Sequence, residues 1–319
     1  MPSALPLEIK QNIFTLSTRT RAAAVNHLTI SQEIHSCLEQ LVYRKIVLHG
    51  EEDARLFLEC LYRRPMPVSF ALQSVKALSL SGSIQSSTVI EIISICRSVT
   101  SLRLILTTNE YANNGSVLWR ALDGLPLQAL VLTIRMQFPS FLSEYHTFRN
   151  LSHLELNGNH FLAEPQEELE FFESLTHICV VLNPHIADPQ AVILLISNAQ
   201  LQLLAFRVED GHNAVDEFLE EHGICDHRIV LLPFQLPVWG ELGQGDMLMW
   251  ELAEDRTKIP VPQNHTTLDR HRCLPLSTIQ NAYADYLDIA KVPELNPCAV
   301  TRRHRRRLVE KARTKGPQV

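Results

Sequence analysis

Leu151-Ser152-His153-Leu154-Glu155-Leu156-Asn157-Gly158-Asn159 is the stretch that decides the fold. Leu154 and Leu156 stand two apart, so both face one side of an extended strand, and Leu151 anchors the turn that enters it. The same apolar triplet recurs at Val75-Leu78-Leu80, Val99-Leu102-Leu104, Leu127-Leu130-Leu132, Leu175-Ile178-Val180 and Leu201-Leu204-Phe206. Successive copies begin 24, 28, 24, 24 and 26 residues apart. A weaker copy follows, with Asp226 in the first slot and Ile229 and Leu231 in the others; an eighth precedes the set at Tyr43-Ile46-Leu48. In a chain that is 45% hydrophobic, one such triplet arises by chance about once in eleven windows. Six in series at one period do not.

Between the triplets lie amphipathic stretches. Ser86–Arg97 carries Val89, Ile92, Ile93 and Cys96 at helical spacing, and Ser116–Leu125 carries Val117, Leu118, Ala121, Leu122 and Leu125. Glu167–Ser174 sets Leu169, Phe171 and Phe172 among acids. Asp188–Ala199 opens with Asp-Pro, a capping residue followed by a proline suited to the first helical position. Asn213–His222 is followed by Gly223, a plausible helix stop. The unit is therefore strand, loop, helix. No single unit can bury its own apolar face, so units stack and their strands form a parallel sheet. A period of about 20–29 residues is that of leucine-rich repeats. The expected fold is α/β: an irregular, short leucine-rich-repeat solenoid with parallel strands on the concave side and helices on the convex side.

Residues between the strand leucines point away from that core. They include Ala77, Ser79 and Ser81, then Ser101 and Arg103, then Ala129, Val131 and Thr133. His153, Glu155 and Asn157 follow, then His177 and Cys179, and finally Leu203, Ala205 and Arg207. This row is the candidate recognition surface, and its expected target-binding residues are Arg103, His153, Glu155, Asn157, His177 and Arg207. If the row faces solvent, Glu155→Lys should alter partner binding and leave stability nearly unchanged.

The net charge of −6 conceals an asymmetry. Residues 301–319 carry eight Lys and Arg against one Glu, a net +7; the remaining 21 basic and 34 acidic residues leave −13. An acidic body argues against a general nucleic-acid groove, leaving only the basic tail for such a role. The tail, beginning Arg302-Arg303-His304-Arg305-Arg306-Arg307, fits a nuclear-localisation or polyanion-binding segment, or a solubilising end. Seven single cysteines, without a CxxC, argue against a disulfide framework. The first ten residues lack a signal-peptide core, and no apolar run approaches the length needed to span a bilayer. The expected location is cytoplasmic, nuclear or both.

Motifs for chemistry are scarce. There is no GxSxG, HExxH or Walker loop, and Gly240, Gly243 and Gly245 do not have dinucleotide-binding spacing. His265, His271 and Cys273, and separately Cys225-Asp226-His227, fall short of an ordered four-ligand zinc set. Glu167, Glu168 and Glu170 read as the solvated face of a helix. No catalytic, cofactor-binding or metal residue is expected, and no cofactor.

Residues 1–42 precede the period. Leu5-Pro6-Leu7-Glu8-Ile9 opens a helix containing Ile9, Ile13, Phe14 and Leu16; Ala22–Leu28 and Glu33–Val42 make two more. Three short helices cannot form a large core alone, so this module needs a neighbour or a partner. Leu5-Pro6-x-Glu8-Ile9-x3-Ile13-Phe14 resembles the opening of an F-box. Ala24-Val25-Asn26-His27 and Ile34-His35-Ser36-Cys37-Leu38-Glu39-Gln40-Leu41-Val42-Tyr43-Arg44 resemble its later part, as fungal members write it. The resemblance is to a degenerate F-box. Cys37 stands where the family usually carries an aromatic residue, Gln40 where proline is frequent, and the link Ser17–Arg21 is short.

The resemblance to F-box proteins with leucine-rich repeats implies a substrate-recognition subunit of a cullin-based, SCF-type ubiquitin ligase. Leu5, Pro6, Ile9, Ile13 and Phe14 would face a Skp-type adaptor, while the repeats hold a protein target. The implied organisation is an F-box-like helical module at 1–42, a repeat array with a C-terminal cap at 43–256, and a linker, possible helix (Ser277–Lys291) and basic tail at 257–319. The cap is the helix expected at Asp246–Glu254. Two alternatives stay open: a repeat scaffold without ligase association, and a nuclear factor using the basic tail. An enzyme has no motif to support it.

Overall fold

The computed structural model describes residues 9, 32–107, 110–133, 145–158, 161–163, 172–208, 212–233 and 248–258. In chain order the elements are α1 (Gln32–Arg44), β1 (Lys45–His49), α2 (Gly50–Tyr62), α3 (Pro67–Ser74), β2 (Ala77–Gly82), α4 (Ser86–Ile95), β3 (Ser101–Leu106), α5 (Glu110–Asp123), β4 (Ala129–Thr133), α6 (His146–Arg149), β5 (His153–Leu156), β6 (His177–Val181), α7 (Pro189–Ser197), β7 (Leu203–Val208), α8 (His212–Glu221), β8 (Ile229–Pro233) and α9 (Leu248–Lys258). A 3-10 turn at Phe161–Ala163 lies between β5 and β6. The eight strands form one all-parallel sheet in sequential order.

The apolar triplets set the register. Ile46, Leu78, Leu102, Leu130, Leu154, Ile178, Leu204 and Ile229 pair in one line across the sheet. Leu48, Leu80, Leu104, Leu132, Leu156, Val180, Phe206 and Leu231 form a second. Both lines are buried in one cluster with the inward faces of the helices. First-slot residues Val75, Val99, Leu127, Leu151, Leu175 and Leu201 are buried too. The backbone closes each turn the same way: Lys76 N donates to Arg44 O, Thr100 N to Lys76 O, Gln128 N to Thr100 O, Ser152 N to Gln128 O, Thr176 N to Ser152 O and Gln202 N to Thr176 O, all at 2.7–3.0 Å.

Asp226 takes the first, usually apolar slot ahead of β8, and an ionic clamp replaces the packing. Asp226 Oδ1 accepts from Arg228 N at 2.8 Å and Oδ2 from Arg228 Nη2 at 2.7 Å. The same guanidinium donates to the carbonyl of Ile196 in the last turn of α7 and to those of Asn198 and Leu201 in the turn that follows. Arg228's hydrogen bonds hold the Asp226 carboxyl below its ordinary pKa, against the opposing effect of burial.

The helices follow their sequence signals with shifted ends. Asp188 caps α7 by accepting from Gln190 N at 2.8 Å, with Pro189 first in the helix. Gly223, at φ +65°, ends α8, and Ile224 N reaches back to Leu219 O at 2.8 Å. Glu51, in the first turn of α2, caps α4 from outside: it accepts from Gln85 N and from Thr88 Oγ1, each at 2.8 Å.

Some expectations change. Helix α5 begins at Glu110, ahead of the expected Ser116. Phe172–Ser174, the end of the helix expected at Glu167–Ser174, is not helical, and the rest of that stretch lies outside the described residues. Helices α2 and α3 fill the longer interval from Tyr43 to Val75, where the period gave no signal; α2 buries Ala54, Phe57, Leu58 and Leu61 on one face. The stretch Glu33–Val42 falls within α1, which Arg64 ties to its surroundings by donating to Glu39 at 2.7 Å and stacking 3.6 Å from the centre of the Phe70 ring. Ser277–Lys291 and the basic tail lie outside the described residues.

The largest correction concerns the last helix. Helix α9 lies on the sheet face opposite the other helices, against β7 and β8, and not across the end of the array. Apart from Arg207, the outer positions of those strands are Leu203, Ala205, Val230 and Leu232, all fully buried. An apolar sheet face must be covered, and Trp250 and Ala253 cover it. Among the described residues no helix is long and apolar enough to cross a membrane.

Candidate functional site on the outer face of the sheet

The outer face changes character along its length. On β2 to β4, Ser81, Ser101, Arg103, Ile105, Ala129 and Thr133 remain partly exposed. Toward the last strands the face is buried, with α9 packed on β7 and β8. Of the six expected target-binding residues, Arg103, His153 and Asn157 keep partial exposure. The expectation of an open surface is overturned for the other three: Glu155 is 0% exposed, His177 5% and Arg207 3%. His177 lies under the indole of Trp250, which sits edge-on to the rings of His153 and His177 with centroids 5.4 and 5.5 Å away, while Glu155 and Arg207 are buried against each other.

His153 and His177 are register partners on β5 and β6. Their rings stack with centroids 4.3 Å apart and planes 12° apart. His177 Nε2 lies 3.0 Å from Glu254 Oε1. With a carboxylate as acceptor, that nitrogen carries the proton, and Nδ1 accepts from the Thr176 hydroxyl at 2.7 Å. His153 Nδ1 meets Ser152 Oγ at 2.8 Å. Burial pushes both imidazoles down to about 4; for His153 the neighbouring His177 adds to the effect and Glu254 opposes it. At neutral pH the pair is therefore uncharged and presents a flat aromatic platform.

Beside the platform lies a buried ion pair. Arg207 crosses from β7 over Cys179 of β6 to Glu155 of β5. Its Nε and Nη2 both donate to Glu155 Oε1, at 2.9 and 2.7 Å. Asn157 Nδ2 donates to the same oxygen at 2.9 Å and to Thr133 Oγ1 at 3.1 Å. Among the described residues, Glu155 Oε2 and Asn157 Oδ1 have no hydrogen-bond partner. Burial works against the charge of Arg207, but Glu155 and Cys179 beside it outweigh burial and hold its pKa above the ordinary value. Burial, reinforced by Glu155, pushes the Cys179 thiol up to about 12. A protonated, enclosed thiol is not a nucleophile. The arrangement offers stacking, hydrogen-bond acceptance and charge complementarity, the chemistry of recognition. Among the described residues no three His, Cys, Asp or Glu side chains group to hold a metal.

At the other end of the chain, Ile9 is helical and 45% exposed. Leu5, Pro6, Ile13 and Phe14 lie outside the described residues. The residues that sequence reasoning missed are Trp250, Ala253 and Glu254. Their signal was present: the outward row turns apolar at Leu203, Ala205 and Val230, and an apolar row on both sides of a strand marks a strand covered twice. Compared with known protein families and with curated proteins, the chain matches none.

Proposed function

We propose that this chain is the substrate-recognition subunit of a cullin-based, SCF-type ubiquitin ligase, built as a leucine-rich-repeat solenoid behind a degenerate F-box. The observation that supports the recognition role is the graded outer face: Ser81, Ser101, Arg103 and Thr133 keep partial exposure, whereas Cys179, Arg207 and Val230 are buried toward the last strands. A protein target would rest on the accessible half, with Arg103 as its charged contact and Ser81, Ser101 and Thr133 as hydrogen-bonding neighbours. The F-box resemblance supports the ligase role, with Leu5, Pro6, Ile9, Ile13 and Phe14 toward a Skp-type adaptor. Catalysis then belongs to other subunits, and this chain needs no cofactor.

Co-purification tests the reading. The full chain should capture a Skp-type adaptor, and the Ile9→Glu, Phe14→Glu double variant should not. No capture by the wild type would remove the ligase and leave a leucine-rich-repeat scaffold as the function.

A further inference from the structure

The solvent side of α7 carries no charge. Ala191, Val192 and Leu195 are its buried residues, and Gln190, Ile193, Leu194 and Ser197 stand opposite them. Ile193 is 37% exposed, Leu194 38%, and Ile186, in the turn before the helix, 43%. Helix α7 joins β6 to β7 and α8 joins β7 to β8, so the two are successive helices on the same side of the sheet, their inner faces in one core. The solvent side of α8 has the opposite character. Glu217, Glu220 and Glu221 are exposed there, at the spacing that gathers side chains on one face. Among the described residues none of the three is in an ion pair. An uncharged apolar strip thus adjoins three unneutralised carboxylates. The larger exposed apolar group, Tyr62, Met66, Val68 and Leu72, has no such neighbour: Glu59 is engaged by Arg63 and Glu91 by Tyr62.

The C-terminal segment, outside the described residues, carries the complementary order in its sequence. Ile279, Tyr283, Tyr286, Leu287 and Ala290 share one side of the helix expected at Ser277–Lys291, and residues 301–319 follow with a net +7. We propose that this segment folds back on the α7–α8 face of its own chain: the apolar side of 277–291 covers Ile186, Ile193 and Leu194, and the basic end lies along Glu217, Glu220 and Glu221. The connection reaches. Helix α9 packs on β7 and β8, the strands that α7 and α8 flank from the other side. Eighteen residues separate Lys258 from Ser277, up to about 60 Å of extended chain, enough to pass round the β8 edge. A tether of that length presents the segment to the face at an effective concentration of about millimolar, ahead of a partner in trans. The contact withholds the basic tail from polyanions and sets its charge against the acidic body. It is independent of the adaptor and target roles proposed above.

The test is zero-length carbodiimide cross-linking of the full chain, read by peptide mass spectrometry. The wild type should link Lys311 or Lys315 to Glu217, Glu220 or Glu221. The Ile193→Asp, Leu194→Asp variant should lose those links, and so should Tyr286→Asp, Leu287→Asp on the other side of the contact. Ile193 and Leu194 are exposed, so far-UV circular dichroism and the thermal transition should stay as in the wild type; should the aspartates disturb folding, serine at the same two positions keeps the comparison. A mixture of unlabelled and nitrogen-15-labelled chains separates the sources, and links within one isotope are expected. Links only between isotopes would assign the face to a second copy and overturn the proposal. So would the absence of α8 links in the wild type, tail lysines joined chiefly to carboxylates elsewhere, or α8 links that survive both substitution pairs.

Discussion

Glu155 shows how far a single position can depart from what its neighbours in sequence suggest. It alternates correctly with Leu154 and Leu156, so its direction was legible; its surroundings were not, because its buried ion-pair partner lies 52 positions away. Periodicity reports which side a residue faces and carries no information about what later covers that side. Glu155→Lys therefore has the opposite outcome to the one expected for a solvated row. It sets an ammonium against Arg207 and leaves the guanidinium buried without its counter-charge. Breaking a buried pair from one side costs about 3–5 kcal/mol, and urea unfolding should register a loss of that order. An unchanged midpoint would mean that the pair is not buried in solution. Replacing both partners by leucine should cost less, since no uncompensated charge remains.

At the scale of elements, α9 is held by groups that respond to acid. His153 and His177 titrate near 4 when folded and near 6.5 when released. Between those values the unfolded chain binds more protons, so stability rises with pH. The contribution is complete above about pH 6.5 and is lost as pH falls through about 4. The charged and titratable groups around the pair are Glu155, Arg207, Cys179 and Glu254, and only Glu254 among them is substantially exposed. The urea midpoint should fall between pH 7 and pH 5, and His153→Phe should flatten that fall. An identical slope in the variant would place the acid response elsewhere. Strands and most helices were readable because their signals are local: apolar triplets, Asp188-Pro189, Gly223. Helix α9 was readable as a helix, but its seat was not, because docking depends on strands that precede it by 15 to 105 residues.

For the molecule as a whole, the decisive feature is one core running unbroken from Val42 to Leu231. Leu154 sits in its middle, 1% exposed, with register partners on both sides at Leu130 and Ile178. Leu154→Asp places an unpaired charge there, at a cost of several kcal/mol. The expected result is loss of the cooperative thermal transition; an unchanged melting curve would contradict the continuity of the core. The strand order has a separate consequence. Every strand pairs only with those adjacent to it in sequence, and closing each such pairing spans a chain length that varies little. Loop-closure entropy grows only with the logarithm of that length, so each added strand joins at nearly the same entropic cost as the last. A sheet assembled this way has no keystone strand: a lineage can lengthen or shorten it by one segment at a time, and the topology of what remains is unaltered.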